Sequence, residues 1–427
     1  MNVSRVLELI VKEFIKTYGS TPEVIASTPG RLDFLNTHQD YKGLPVVSVA
    51  INKRMYVAVA SSREESRVIS LNLCLEGLEC RDVFSAKNVA LREKGFFGNY
   101  IRSVVLALRE SNFRIGDFNM LIYSEIPVAS GLASSAALQV AVLGALNELF
   151  GFNLAKHDIA ELAYHSEHDI MGIPCGRLDQ YGSSMGGITK INTRPPYSTK
   201  TYRGFHWLFV VLNSGIKHST AEVHPRRISE IVGGLKQLLL MPDLPVSIRV
   251  YLSERIDSVV WEKLDISELE PYLERVSSVS RKRILFTLKM HKSTELALSL
   301  LEEPCSSNMR SVRDFLEVEC RECLEYAERS EHELLKLISG IVNYQHILLR
   351  DLYDVSLPEL ELIRNVALRS GALGVKISGA GLGGSLLALV NSRDTGELVA
   401  KNARAREAWI VEVDESGVRV NYSARSS

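Results

Sequence analysis

Four groups of residues in this chain have types and spacings that could do chemistry. The first is Pro127 to Leu138, PVASGLASSAAL, which lies between a strand-like run, Phe118 to Ile126, and an apolar helical pattern, Leu138 to Phe150. Gly131 lets backbone approach a ligand closely, and Ala133, Ser134, Ser135 and Ala136 add no bulk. The first N–H groups of a helix have no partner inside it, so phosphate oxygens can take them. A plain strand-to-helix turn capped by Ser134 or Ser135 would have the same composition. The second group is Glu167 and His168, closing one helical pattern, followed by Asp179 and Gln180 after a turn at Gly172 to Gly176. The two carboxylates could therefore face one site across a helix–loop–helix junction. In the third group, Arg31, Asp33, His38, Asp40 and Tyr41 crowd a turn-rich span between Gly30 and Gly43. That is too much polarity for packing, although a solvated loop would also carry it. The fourth, NSGIKHSTAEVHPRR at Asn213 to Arg227, gathers polar and basic groups just after a strand pattern.

The elements that must position these groups can be read from periodicity. A helix is expected over Val3 to Tyr18, a strand over Glu23 to Ser27, more strands in the second half of Thr28 to Ser62, and helices over Phe97 to Arg109, Leu138 to Phe150 and Leu154 to His168. A strand is expected over Phe205 to Asn213, and helices from Arg226 to about Ile363, broken at prolines. Near the end, Gly371 to Val390 reads GALGVKISGAGLGGSLLALV and contains Gly379-x-Gly381-x-x-Gly384. A dinucleotide site would need a helix directly after these glycines, whereas SLLALV reads as a strand, so the expectation is a Gly-rich hairpin and no nicotinamide cofactor. With no linker or repeat visible, the domain boundary is placed near Tyr202, giving lobes at 1–202 and 203–427.

Composition narrows the partners. The chain has 427 residues with 50 basic and 51 acidic side chains, so no sustained positive field recruits nucleic acid or an anionic membrane. No apolar run approaches the roughly 18 residues that span a bilayer, and the N-terminus does not resemble a secretory signal. A cytoplasmic protein with a small-molecule partner is expected, as a monomer or small homo-oligomer. Six cysteines, Cys74, Cys80, Cys175, Cys305, Cys320 and Cys323, are too scattered for a disulfide framework and are expected as free thiols.

Taken together these stretches resemble the galactokinase branch of the superfamily that also holds homoserine, mevalonate and phosphomevalonate kinases. PGRLDFLNTHQDYKG resembles the galactokinase signature, PVASGLASSAAL the phosphate loop, SEHDIMGIPCGRLDQYGSSMGG the metal-and-base segment and VKISGAGLGGS the C-terminal Gly-rich loop. NSGIKHS with Arg226 and Arg227, and LLRDLYDVSLPELE at Leu348 to Glu361, add to the likeness. The resemblance implies an α+β, two-lobed fold, with an N-terminal lobe like a ribosomal-protein domain and a ferredoxin-like C-terminal lobe with added helices. It implies an ATP- and Mg²⁺-dependent sugar-1-kinase acting on a galactose-configured sugar. The alternatives are a kinase for galacturonate or L-arabinose and a silent sugar sensor.

By the same resemblance Asp179 is the catalytic base and Arg31 its partner, which spreads the charge of the transferring phosphoryl group. ATP is expected at Phe97, at Ser130, Gly131, Leu132, Ala133, Ser134, Ser135 and Ala136, and at Gly379, Ala380 and Gly381. Mg²⁺ is expected on Ser135 and Glu167, because this ion takes few protein oxygens beside phosphates and water. The sugar is expected against Thr37, His38, Asp40, Gly176, Arg177 and Val223. Three of these depart from the family pattern: Thr37 stands where galactokinases have Glu, Val223 where they have Tyr, and Arg177 where they have an apolar residue. Asp33 and Asn36 replace the usual Asn and Gly. A lost carboxylate and a gained guanidinium would suit a uronate, if Arg177 reaches the sugar.

Overall fold

The computed structural model describes residues 3–127, 130–217 and 220–424. Val128 and Ala129 of the first motif and His218 and Ser219 of the fourth lie outside the described residues. Among the described residues there are twelve strands: β1 (Val24–Leu35), β2 (Val46–Ser61), β3 (Ser66–Ser70), β4 (Arg81–Phe84), β5 (Phe118–Ser124), β6 (Ile188–Asn192), β7 (Ser198–Tyr202), β8 (Leu208–Asn213), β9 (Gly374–Ser378), β10 (Ser385–Val390), β11 (Glu407–Glu412) and β12 (Arg419–Ser423). They make two sheets. One runs β12-β1-β2-β5-β3-β4, with β6 pairing β2 and β7, and the other runs β11-β8-β10-β9.

The chain divides into two compact units. The first comprises Met1–Arg31, Val49–Thr189 and Asp414–Ser427, and the second Leu32–Ser48 and Lys190–Val413. This differs from a single boundary near Tyr202. The chain changes unit inside β1, β2 and β6, and such changes within continuous strands leave no mark of linker composition. In the first unit the helix Val3–Tyr18 buries Val6, Ile10 and Phe14 at a four-residue spacing against Ile25, Tyr56, Ala58 and Leu121. Burying each of these three helical side chains contributes about 1.5–3 kcal/mol. In the second unit, β9 and β10 are buried along their whole length; β10, SLLALV, is apolar after its first residue, and β9, GVKIS, buries the single charge of Lys376. Gly374 lets the helix Glu333–Ile347 lie directly on β9, since a Cβ there would meet the Ser339 carbonyl oxygen at 2.6 Å.

Three further expectations are corrected. The turn-rich reading of Gly30 to Gly43 fails up to Leu35, because β1 continues to Leu35 with every residue buried, and holds only beyond it. Pro29 and Gly30 argue for a loop in sequence, but the ladder to β12 covers Val24 to Ser27 and ends before Pro29, which has no N–H to give. The helical pattern to His168 instead ends at His165 and continues as one π-helical turn, Ser166–Ile170. Four of the six cysteines form the disulfides Cys74–Cys80 and Cys320–Cys323, with Cα atoms 5.1 and 5.4 Å apart, while Cys175 and Cys305 are free. Both bridges close very short loops, so they lack the wide spacing by which a disulfide framework is recognised. The strand–glycine–strand reading of Gly371 to Val390 holds: β9 and β10 pair antiparallel, with Ser378 opposite Ser385.

Candidate active site

In the first unit the small-residue loop before the helix Ser134–Phe150 is laced to β1. The Arg31 backbone N–H donates to the Leu132 carbonyl (3.1 Å) and its Nη1 to the Gly131 carbonyl (2.6 Å). A Cβ at Gly30 would meet that same Leu132 oxygen at 2.9 Å, so this close approach needs glycine. Gly131 and Ala133 take φ of 74° and 60°; for alanine the left-handed conformation costs about 1–2 kcal/mol. The helix Ser134–Phe150 starts at once, with Ala133 as its N-cap and no side-chain capping bond. The serine cap considered above is therefore not formed, and Ser134 and Ser135, the first two residues of a 17-residue helix, are only half-buried.

The same guanidinium holds the second motif. Arg31 Nε and Nη2 both donate to Asp179 Oδ1, at 2.9 and 2.6 Å. Asp179 lies in the first turn of the helix Leu178–Met185, where helix polarity favours a negative group, and its side chain is 31% exposed. Glu167 lies on the π-helical turn, a distortion often found at functional sites. It is buried, accepts a hydrogen bond from Gln180 Nε2 (2.7 Å) and is hydrogen-bonded to Ser135. Burial, and then the nearby charge of Asp179, push its carboxyl up to about 7, against the opposing pull of Ser135, Gln180 and Arg31. The thiol of Cys175 is pushed up to about 12 by burial and by Glu167 and Asp179, so it is no nucleophile.

A buried carboxylate raised by a second one, beside a hydroxyl, is a place that a cation would stabilise. Its hard oxygen donors suit Mg²⁺. Among the described residues no group of three His, Cys, Asp or Glu could hold a metal.

The other residues expected on this unit are not all free for ligands. Arg177 donates to Glu161 through Nε (2.8 Å) and Nη2 (3.2 Å), and its guanidinium lies 3.9 Å over the Tyr164 ring. Gly176 is exposed, and Phe97 is half-buried with its ring 5.1 Å from that of Phe96.

The second unit carries the rest. Beyond β1, Asn36 and His38 adopt φ of 64° and 65°, before the short helical turn Asp40–Lys42. The Thr37 hydroxyl donates to Asp33 Oδ1 (3.0 Å) and accepts from Lys376 Nζ (2.8 Å), which also donates to the Asp33 carbonyl (3.0 Å). Lys376 is fully buried on β9, and burial pushes its ammonium down to about 8 against the charge of Asp33. His38 Nε2 is 3.0 Å from the Ala380 carbonyl oxygen. Asp40 is half-buried, and Val223 is buried in the helix Thr220–Leu239. In the Gly-rich turn, Gly381 packs so tightly that a Cβ would meet the Val355 carbonyl oxygen at 2.5 Å, whereas Gly379 (φ 101°) faces open space.

Two partners, Lys376 and Tyr353, escaped sequence reasoning, while Gln180 was named beside Asp179 without a role. Lys376 could have been found from being a lone charge inside an apolar strand pattern. Tyr353, whose hydroxyl lies 2.5 Å from that of Tyr41, has no local signal.

Three family models match the chain. The profile described as GHMP kinases N terminal domain matches residues 99–187, the galactokinase galactose-binding signature matches 12–61, and GHMP kinases C terminal matches 323–408. A galactokinase of Clostridium beijerinckii is 26% identical over 392 residues, covering 90% of this chain and 89% of its own. One of Roseiflexus sp. is 28% identical over 383 residues, covering 89% and 86%. Among solved structures, Lactococcus lactis galactokinase complexed with galactose superposes with a TM-score of 0.74 at 21% identity, covering 97% of this chain and 99% of that one. Methanococcus jannaschii mevalonate kinase gives 0.62 at 18%, covering 93% and 99%. The chain belongs to the GHMP kinases, with their N- and C-terminal domains and their α+β fold. Its relatives and the signature then set the branch: it is a galactokinase-like sugar kinase, a phosphotransferase.

Proposed function

We propose that this kinase transfers the γ-phosphoryl group of ATP to the anomeric hydroxyl of galactose or a closely related neutral sugar. The observation that carries this reading is the reach of one buried guanidinium: Arg31 binds the Asp179 carboxylate with two nitrogens and the phosphate-loop carbonyl of Gly131 with the third. The half-exposed carboxylate of Asp179 accepts the proton of the sugar hydroxyl as its oxygen bonds to the γ-phosphorus and the bridging oxygen leaves with ADP. Arg31 and the N–H groups opening the helix Ser134–Phe150 offset the charge that spreads over the phosphoryl oxygens. On the second unit, the Gly379, Ala380 and Gly381 backbone is a further contact proposed for ATP. Ser135 and Glu167 would hold Mg²⁺, whose chemistry here is to neutralise phosphate charge.

Protonation of Glu167 competes with that ion. Because its carboxyl sits near 7, it is charged and ready above pH 7 and progressively neutral below. The Mg²⁺ concentration giving half-maximal turnover should therefore rise about tenfold from pH 8 to pH 6. In Glu167→Gln the requirement should be high at both pH values. A flat wild-type profile would remove Glu167 from the metal site.

On the sugar side, Asp40 is the acceptor best suited to ring hydroxyls, while Thr37 is occupied by Lys376 and Asp33. The engagement of Arg177 with Glu161 and Tyr164 weighs for a neutral sugar over a uronate. Coupled ADP release with galactose, galacturonate and L-arabinose tests the order, and galactose should give the highest turnover per unit concentration. Arg177→Leu should cost galactose and galacturonate alike. A loss selective for galacturonate would revive the uronate reading.

A further inference from the structure

Arg31 is not the only group that bears on the placement of Asp179. Asp179 lies in the first turn of the helix Leu178–Met185, and the main-chain bond of that turn runs from the Tyr181 N–H to the Arg177 carbonyl at 3.2 Å. The side chains of the same two residues, two positions before Asp179 and two after it, both end on Glu161 of the preceding helix, Lys156–His165. Arg177 donates through Nε to Glu161 Oε1 (2.8 Å) and through Nη2 to Oε2 (3.2 Å), and the Tyr181 hydroxyl donates to Oε1 at 2.5 Å. One carboxylate thus closes the turn into a ring, and its two-nitrogen pairing with the guanidinium fixes direction as well as distance.

Both partners of Glu161 are held in turn. Tyr181 gives its one hydroxyl proton to Glu161, so its oxygen accepts from His157 Nε2 at 2.9 Å. The Arg177 guanidinium lies 3.9 Å from the centre of the Tyr164 ring, and that ring stacks on His168, the neighbour of Glu167 in sequence, with centres 4.8 Å apart. Tyr181 is fully buried, and the side chains of Arg177 and Glu161 are 17% and 30% exposed, so the ion pair is partly shielded from water.

We infer that Glu161 is a positioning residue for the reaction: by holding Arg177 and Tyr181 together it fixes the helical turn that carries Asp179. This rests on the kinase reading above, with Asp179 as the base. Loss of the clamp would displace the base without removing it. A misplacement of about 1 Å can cost about 100-fold in rate, so Glu161→Ala should lower the single-turnover rate about 10- to 100-fold. KM for ATP should stay within about twofold, a split that marks an interaction used in the transition state, because the loop at Gly131 is held by Arg31. Tyr181→Phe keeps the buried ring and removes one of the three bonds, so it should lower the rate by a smaller factor. In the double variant Glu161→Ala, Arg177→Ala the loss should match the larger of the two single losses and not their product, since both act through one contact.

The test is single-turnover ADP formation with galactose at a temperature where melting curves show every variant folded, together with amide hydrogen exchange across Leu178–Met185. Slower turnover in folded Glu161→Ala, with faster exchange in that helix, supports the clamp. An unchanged rate in the folded variant, whatever its melting temperature, overturns it, as does unchanged exchange or a pair of losses that multiply. Tyr181→Phe carries the same test if Glu161→Ala does not fold. Wild-type protein that releases no ADP with any sugar would sink the kinase reading itself, and exchange in the same variants would still decide whether Glu161 holds the turn.

Discussion

Asp179→Asn should lower turnover by roughly 100- to 10,000-fold, the range that general base catalysis supplies, while binding of ATP changes little. The expectation follows from what Asp179 touches. Its carboxylate takes two hydrogen bonds from Arg31 through one oxygen, Oδ1, and its side chain stays partly exposed. The amide keeps the shape and an oxygen for Arg31 but cannot take a proton from the sugar. The loop before the helix Ser134–Phe150 is held by a different nitrogen of Arg31, Nη1 on the Gly131 carbonyl, and by the Arg31 backbone N–H on Leu132, bonds that the amide leaves in place, so nucleotide affinity has no reason to fall. Pre-steady-state turnover and equilibrium ATP binding on the same preparation check both halves. A variant that keeps more than about a tenth of wild-type turnover would show that Asp179 is not the base.

Arg31→Lys should lose more than a charge count suggests, because lysine keeps the charge and loses the fork. One ammonium cannot bind the Asp179 oxygen from two nitrogens and also reach the Gly131 carbonyl. We expect kcat to fall about 1,000-fold or more, as when an arginine that stabilises a transferring phosphoryl group is removed. KM for ATP should rise as well, because the loop carbonyl is released. This second effect separates Arg31 from Asp179, whose amide variant should leave ATP binding alone. If Arg31→Lys alters only stability, with kcat unchanged in the folded protein, the Arg31–Asp179 pair is structural.

Much of this was legible in the sequence, for physical reasons that differ from site to site. The loop that opens the helix Ser134–Phe150 could be read because its signal is local: small residues, one glycine and an apolar helix that follows. The Gly-rich turn could be read as a hairpin because the strand period resumes immediately after it. β1 could not be read in full, since Pro29 and Gly30 speak for a loop, and only the Leu132 carbonyl lying against Gly30 explains the glycine. The π-helical turn under Glu167 was hidden because one extra residue per turn barely alters a helical pattern. Arg177 was misleading for a different reason. Its type suited an anionic sugar, but its direction is set by Glu161 and Tyr164, and sequence carries no information about side-chain direction. The direction of His38 was hidden in the same way, because Ala380, whose carbonyl oxygen its Nε2 meets, lies more than 300 positions along the chain.

The most direct measurement is sugar-dependent release of ADP by the full chain with ATP, Mg²⁺ and galactose, with the phosphorylated product identified by phosphorus NMR. The account predicts one ADP per sugar phosphate formed, with phosphate on the anomeric oxygen and turnover lost in Asp179→Asn. Galactose that binds without releasing ADP, or phosphate found on any other hydroxyl, would contradict it.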